Sequence, residues 1–79
     1  MFTFYHDPGH GWLKVSIEDL KAVGVSRDQI SDYSYHKPGF MLLEEDCDAG
    51  VFVEAYKRKH GTEPEIREQY IDDRRMIGI

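Results

Sequence analysis

Apolar and polar positions alternate in short blocks along this chain, and turn residues separate the blocks. Phe2-Thr3-Phe4-Tyr5-His6 is aromatic and β-prone, which predicts a strand. Asp7-Pro8-Gly9-His10-Gly11 follows, with proline suited to the second turn position and glycine to the positive φ of the third. Trp12-Leu13-Lys14-Val15 reads as the returning strand of a first hairpin. A second hairpin is expected from Tyr33-Ser34-Tyr35-His36, a Lys37-Pro38-Gly39-Phe40 turn of type II order, and Phe40-Met41-Leu42-Leu43. That last run is apolar on both alternating faces, which predicts a central strand buried on both sides.

Two helices fit between and after these strands. Ser16 is a good N-cap with Asp19 three residues on, and Ile17, Leu20, Ala22 and Val23 give a short apolar face ending before Gly24. Ser26 with Gln29 repeats the capping pattern and predicts a single helical turn over Ser26 to Ile30. Asp48, alone or with Asp46, is placed to cap a helix from Ala49 to His60, whose Val51, Phe52, Ala55 and Tyr56 share one face. Lys57, Arg58, Lys59 and His60 suit its C-terminal end, Gly61 its stop, and Pro64 prevents resumption. Glu65 to Ile71 is strand-like, but its three charges predict an edge. Asp72 to Arg75 reads as a charged turn, and Met76 to Ile79 either docks or frays.

The pattern contains an echo. Tyr5-His6-Asp7-Pro8-Gly9 matches Tyr35-His36-Lys37-Pro38-Gly39 at four of five positions, thirty residues apart. It reads as a duplication, as two hairpins sharing one sheet, or as a coincidence of common hairpin residues. The expected architecture is α+β in the order ββα-ββα-β. It comprises a small antiparallel sheet from two Pro-Gly hairpins, a C-terminal edge strand, and helices packed on one face. A single domain over residues 1–79 is the ceiling at this length. A core this small makes a homodimer, through an edge strand or exposed aromatics, a natural expectation.

Composition narrows the classes. No apolar run reaches the roughly 18 residues of a membrane helix. Met1 to Tyr5 has neither the basic region nor the cleavage site expected of a signal peptide. Aromatic content of 13% argues against disorder. The single Cys47 forms no internal disulfide, so the cytoplasm is the expected compartment. Fifteen acidic against ten basic side chains leave a net charge of −5, which argues against direct nucleic-acid binding.

Candidate chemistry is thin. His6, Asp7 and His10, with His36, Cys47 and His60 elsewhere, are zinc-ligand types, but Pro8-Gly9 prevents His6 and His10 from converging on a helix. Cys47 stands among four acids, which raise a thiol pKa, so burial fits it better than nucleophilic catalysis. Glu44, Glu45, Asp46 and Asp48 lack EF-hand spacing, and Gly9 and Gly11 lack a phosphate-loop context. Lys57 to His60 is explained by the helix dipole. No catalytic residue, metal or cofactor is expected.

The distribution of acid changes the picture most. Between Asp28 and Glu54 stand seven acids (Asp28, Asp32, Glu44, Glu45, Asp46, Asp48, Glu54) against one base, Lys37. That stretch carries −6 and the remainder +1. Gathered on one surface, these acids would suit the basic groove of a nucleic-acid-binding protein. Dispersed, they are a solvated face with helix-capping acids.

Phe4-Tyr5-His6-Asp7-Pro8-Gly9-His10-Gly11-Trp12-Leu13 and Leu43-Glu44-Glu45-Asp46-Cys47-Asp48-Ala49 resemble a family of small proteins from phages, prophages and plasmids of proteobacteria. The resemblance runs from about Phe4 to Arg67. Length, acidity and motif order are also similar to an anti-CRISPR protein acting on the type I-C system. That resemblance implies an inhibitor that binds the crRNA-guided surveillance complex, Cascade, in the host cytoplasm and blocks target DNA. Its carboxylates would take the lysines and arginines meant for phosphates, as a DNA mimic does. It implies no catalytic residues. The alternatives are an accessory interaction module with another host target, and a small metal-binding protein using His6, Asp7, His10 and His36.

Overall fold

The computed structural model describes residues 1–79, an α+β fold built on one five-stranded sheet. Strands β1 (Phe2–His6) and β2 (Gly11–Ser16) form the first hairpin, and β3 (Tyr35–Lys37) and β4 (Phe40–Glu44) the second. Their inner strands lie antiparallel, with Leu13 opposite Leu43.

The echo extends to register. Tyr5 pairs with Trp12 and His6 with Gly11. Thirty residues on, Tyr35 pairs with Leu42 and His36 with Met41. Between the hairpins Trp12 faces Glu44 and Lys14 faces Leu42, so each pair is the other shifted by thirty. A two-fold axis normal to the sheet at the Leu13–Leu43 pair therefore relates the hairpins. The turns differ within this symmetry. Gly39 has φ +83, as the type II order predicts, whereas Gly9 is not among the positive-φ glycines. The cause is Asp7, whose Oδ1 accepts from the N–H of Gly9 at 2.9 Å and of His10 at 2.7 Å. This side-chain turn replaces the glycine conformation expected there.

Helix α1 (Ile17–Ala22) is capped by Ser16 Oγ, which accepts from Asp19 N–H at 3.0 Å. The Ser26–Gln29 capping box forms around a 3-10 turn at Arg27–Gln29. Helix α2 (Ala49–His60) ends at Gly61 in the left-handed conformation, with its N–H donating to the Lys57 carbonyl. Phe52 and Ala55 of α2 join Leu13, Val15, Leu20, Met41 and Leu43 in the main core, and Phe2 meets the Phe52 ring edge-on at 5.0 Å. Both helices thus pack on one face.

The sheet is mixed rather than wholly antiparallel. Strand β5 (Ile66–Tyr70) is at an edge, in the order β3-β4-β2-β1-β5, but pairs parallel to β1 from Phe2–Ile66 to His6–Tyr70. The connection explains this. β4 runs parallel to β1, α2 carries the chain back, and the next strand must run the way β4 did.

The opposite face is covered too. Trp12, Leu42 and Ile71 form a second buried cluster, with Tyr5, Phe40, Ile77 and Ile79 around it. The last residues dock rather than fray. A 3-10 turn at Arg74–Ile77 lays them across the sheet, and Lys37 Nζ donates to the Gly78 carbonyl. Leu42 and Leu43 are fully buried and Met41 nearly so, the two-sided burial predicted for β4. No helix is long and apolar enough to cross a membrane.

Candidate partner-binding site

The site begins with a buried carboxylate. Asp48 is 2% exposed, so it takes no part in an acidic surface, contrary to the expectation for it. Nor does its side chain cap α2. It turns inward instead. Its Oδ1 accepts from Ser31 N–H at 2.9 Å, and its Oδ2 accepts from the hydroxyls of Ser31 at 2.7 Å and of Ser34. Burial raises the carboxyl pKa, but these donors outweigh it and the net shift is downward. Ser34 Oγ also accepts from Glu44 N–H at 2.8 Å. One carboxylate thus clamps the 31–34 loop to the 44–48 turn.

The clamp gathers acids that are apart in sequence. Asp32 lies in the clamped loop, and Glu44, Glu45 and Asp46 in the clamped turn. Glu44 Oε2 accepts from the N–H groups of Asp46 and Cys47, both at 2.9 Å. None of these four carboxylates is in an ion pair. Asp28 stands outside the group, in the 3-10 turn upstream. Glu54 lies on the outer face of α2, with its carboxylate 3.8 Å from Lys57 Nζ. The seven acids therefore divide: four together, two elsewhere on the surface, one inside.

Beside the four acids opens a cleft of about 410 Å³, lined by Trp12, Tyr33, Tyr35, Glu44, Asp46 and Arg74 among others. Tyr33 is 72% exposed. Tyr35 meets Trp12 edge-on at 6.4 Å, and His10 stacks on the indole at 5.9 Å. Arg74 lies over the Trp12 ring at 5.1 Å. Its Nε donates to Asp7 Oδ2 at 2.9 Å, and its Nη2 is 2.7 Å from His10 Nδ1. The Arg74 guanidinium, with the Gly9 and His10 N–H groups, lowers the Asp7 pKa to about 2.

Local sequence pointed to the acids but not to this aromatic wall. Arg74 reaches Asp7 across 67 residues, and no periodicity links them. The Tyr-His-Pro-Gly echo was the available signal for Tyr35, since it gives Tyr35 the register of Tyr5.

The metal reading finds no support in the geometry. His6 lies between Phe4 and Tyr70, stacked on the first and edge-on to the second, while His10 and Asp7 are bound to Arg74. His60 packs on Tyr56 at 4.4 Å. No three His, Cys, Asp or Glu side chains are placed to hold one ion. Cys47 is exposed rather than buried as expected, and the Glu44 carboxylate pushes its thiol pKa up. That direction disfavours thiolate chemistry, as the acid run implied.

No protein-family model, curated protein or solved structure matches this chain. The site must be read from its own residues.

Proposed function

We propose that the protein is an acidic binding protein that occupies the basic, nucleic-acid-binding surface of a protein partner. The partner named by the sequence resemblance is the type I-C surveillance complex, with the chain acting as a mobile-element-encoded inhibitor of target DNA binding in the host cytoplasm. The observation that supports this best is the group Asp32, Glu44, Glu45 and Asp46. The Asp48 clamp joins the two segments that carry these four carboxylates, and none of the four is in an ion pair. Such a group focuses negative potential and steers a positive surface toward it. The reading needs no cofactor and no catalytic residue.

The test uses Asp32→Asn, Glu44→Gln, Glu45→Gln and Asp46→Asn together, which keep side-chain shape and remove four charges. Association of this variant with the purified complex should slow by about tenfold or more at low salt. Target DNA binding by the complex should recover in parallel. Unchanged association would remove the acidic group from the mechanism.

A further inference from the structure

The cleft beside the acids offers more than charge. Trp12 is 2% exposed, and the contacts of its ring are with His10, Tyr35 and Arg74 rather than with a hydrogen-bond acceptor for its indole N–H. Yet no side-chain polar atom is both sealed from solvent and without a partner. The N–H therefore keeps some access to solvent, and Trp12 lines the cleft. It is a fixed donor, held by a ring that core packing immobilises. Acceptors line the same cleft, and Glu44 is the cross-strand neighbour of Trp12. Glu44 uses Oε2 on the Asp46 and Cys47 N–H groups, which orients the carboxylate and leaves Oε1 free. Asp46 lines the cleft as well. Tyr33 and Tyr35 add aromatic rings to the lining.

Aromatic faces next to carboxylates select a planar cation. A guanidinium stacks on a ring while its N–H fork binds a carboxylate in two places, and an ammonium does neither as well. The chain already holds one guanidinium at this wall, since Arg74 lies over Trp12. That charge is matched by Asp7 at 2.9 Å, and neither Glu44 nor Asp46 is in an ion pair.

We propose that this cleft receives an arginine side chain from the partner's basic surface. The guanidinium lies against Tyr33 and Tyr35 and binds Glu44 and Asp46, and the Trp12 N–H donates to a backbone carbonyl of the same segment. This occupant rests on the acidic-binder reading above, and it makes the recognition specific for arginine rather than for positive charge alone.

The test titrates the intact chain with acetyl-Gly-Arg-Gly-amide and follows the Trp12 indole N–H by NMR. Matched peptides carry lysine or citrulline, the uncharged isostere. Arginine should shift the indole signal saturably, lysine should bind at least about fivefold more weakly, and citrulline should not bind. A Tyr33→Ser, Tyr35→Ser variant should lose about tenfold in affinity for the arginine peptide, with Leu42 and Phe52 signals reporting an unchanged core. Equal binding of lysine or citrulline, an indole signal that never moves, or an unaffected tyrosine variant would overturn the inference. The partner complex separates the two ideas. If the tyrosine variant associates normally while the charge-neutralised variant does not, the arginine cleft fails and the acidic reading stands. If the charge-neutralised variant also associates normally, the acidic reading fails.

Discussion

Asp48 acts through burial. It stands in the most acidic stretch of the chain, yet it is inside and bound to Ser31 and Ser34. Removing it leaves a half-buried N–H, a half-buried hydroxyl and the buried Ser34 hydroxyl without their acceptor. Asp48→Ala should therefore destabilise the protein by about 3 kcal/mol, read as a lower urea midpoint at unchanged slope. Asp46→Ala, an exposed neighbour, should change stability by no more than about 0.5 kcal/mol. The two turn glycines make a second contrast. Gly39 has φ +83 and Gly9 does not have a positive φ. Gly39→Ala should cost about 1 kcal/mol, while Gly9→Ala should be neutral in the same denaturation experiment. Equal effects would mean that the Asp7 side-chain turn does not set the first hairpin.

At the scale of elements, the C-terminal segment matters most. It covers the sheet face opposite the helices with Ile71, Ile77 and Ile79, and is tied to the first hairpin turn through Arg74 and Asp7. That tie depends on pH. Asp7 titrates at about 2 in the folded chain, below its ordinary 3.8, so the unfolded chain takes up the proton first as pH falls. The stability contributed is complete above about pH 4 and disappears as pH drops through 2. Arg74→Gln should return the Asp7 pKa, followed by carboxyl NMR, toward 3.8. It should also narrow the stability difference from the parent chain below pH 4. An unmoved Asp7 pKa would mean that the backbone N–H donors of Gly9 and His10 hold it down alone.

On the scale of the whole molecule, charge is partitioned. The net −5 is modest, but the four grouped acids stay out of ion pairs while Glu54, Lys57 and Glu63 pair among themselves. Partner association through that group should weaken with salt, because the screening length falls from about 10 Å at 0.1 M to about 3 Å at 1 M. Association rates measured across that range should converge for the parent chain and the charge-neutralised variant. A parent rate insensitive to salt would favour an interface built on the aromatic wall without the carboxylates.

Most elements were legible in the sequence because their signals are local. Ser16 reaches Asp19, Gly61 closes on Lys57, and the thirty-residue Tyr-His-Pro-Gly echo shares one hairpin register. Each depends on residues within a turn or a strand pair, where propensity, capping and alternation act. The α+β class, the two hairpins and the central β4 follow from such signals. Tertiary structure decided the rest. The parallel pairing of β5 depends on where α2 delivers the chain, and the C-terminal cover depends on an apolar face elsewhere in the sheet. Asp48 and Asp46 are two positions apart and identical in chemistry, yet one is buried and the other exposed. Composition counts both as surface charge. Only packing determines which side of the chain meets water, and so which acids are free to meet a partner.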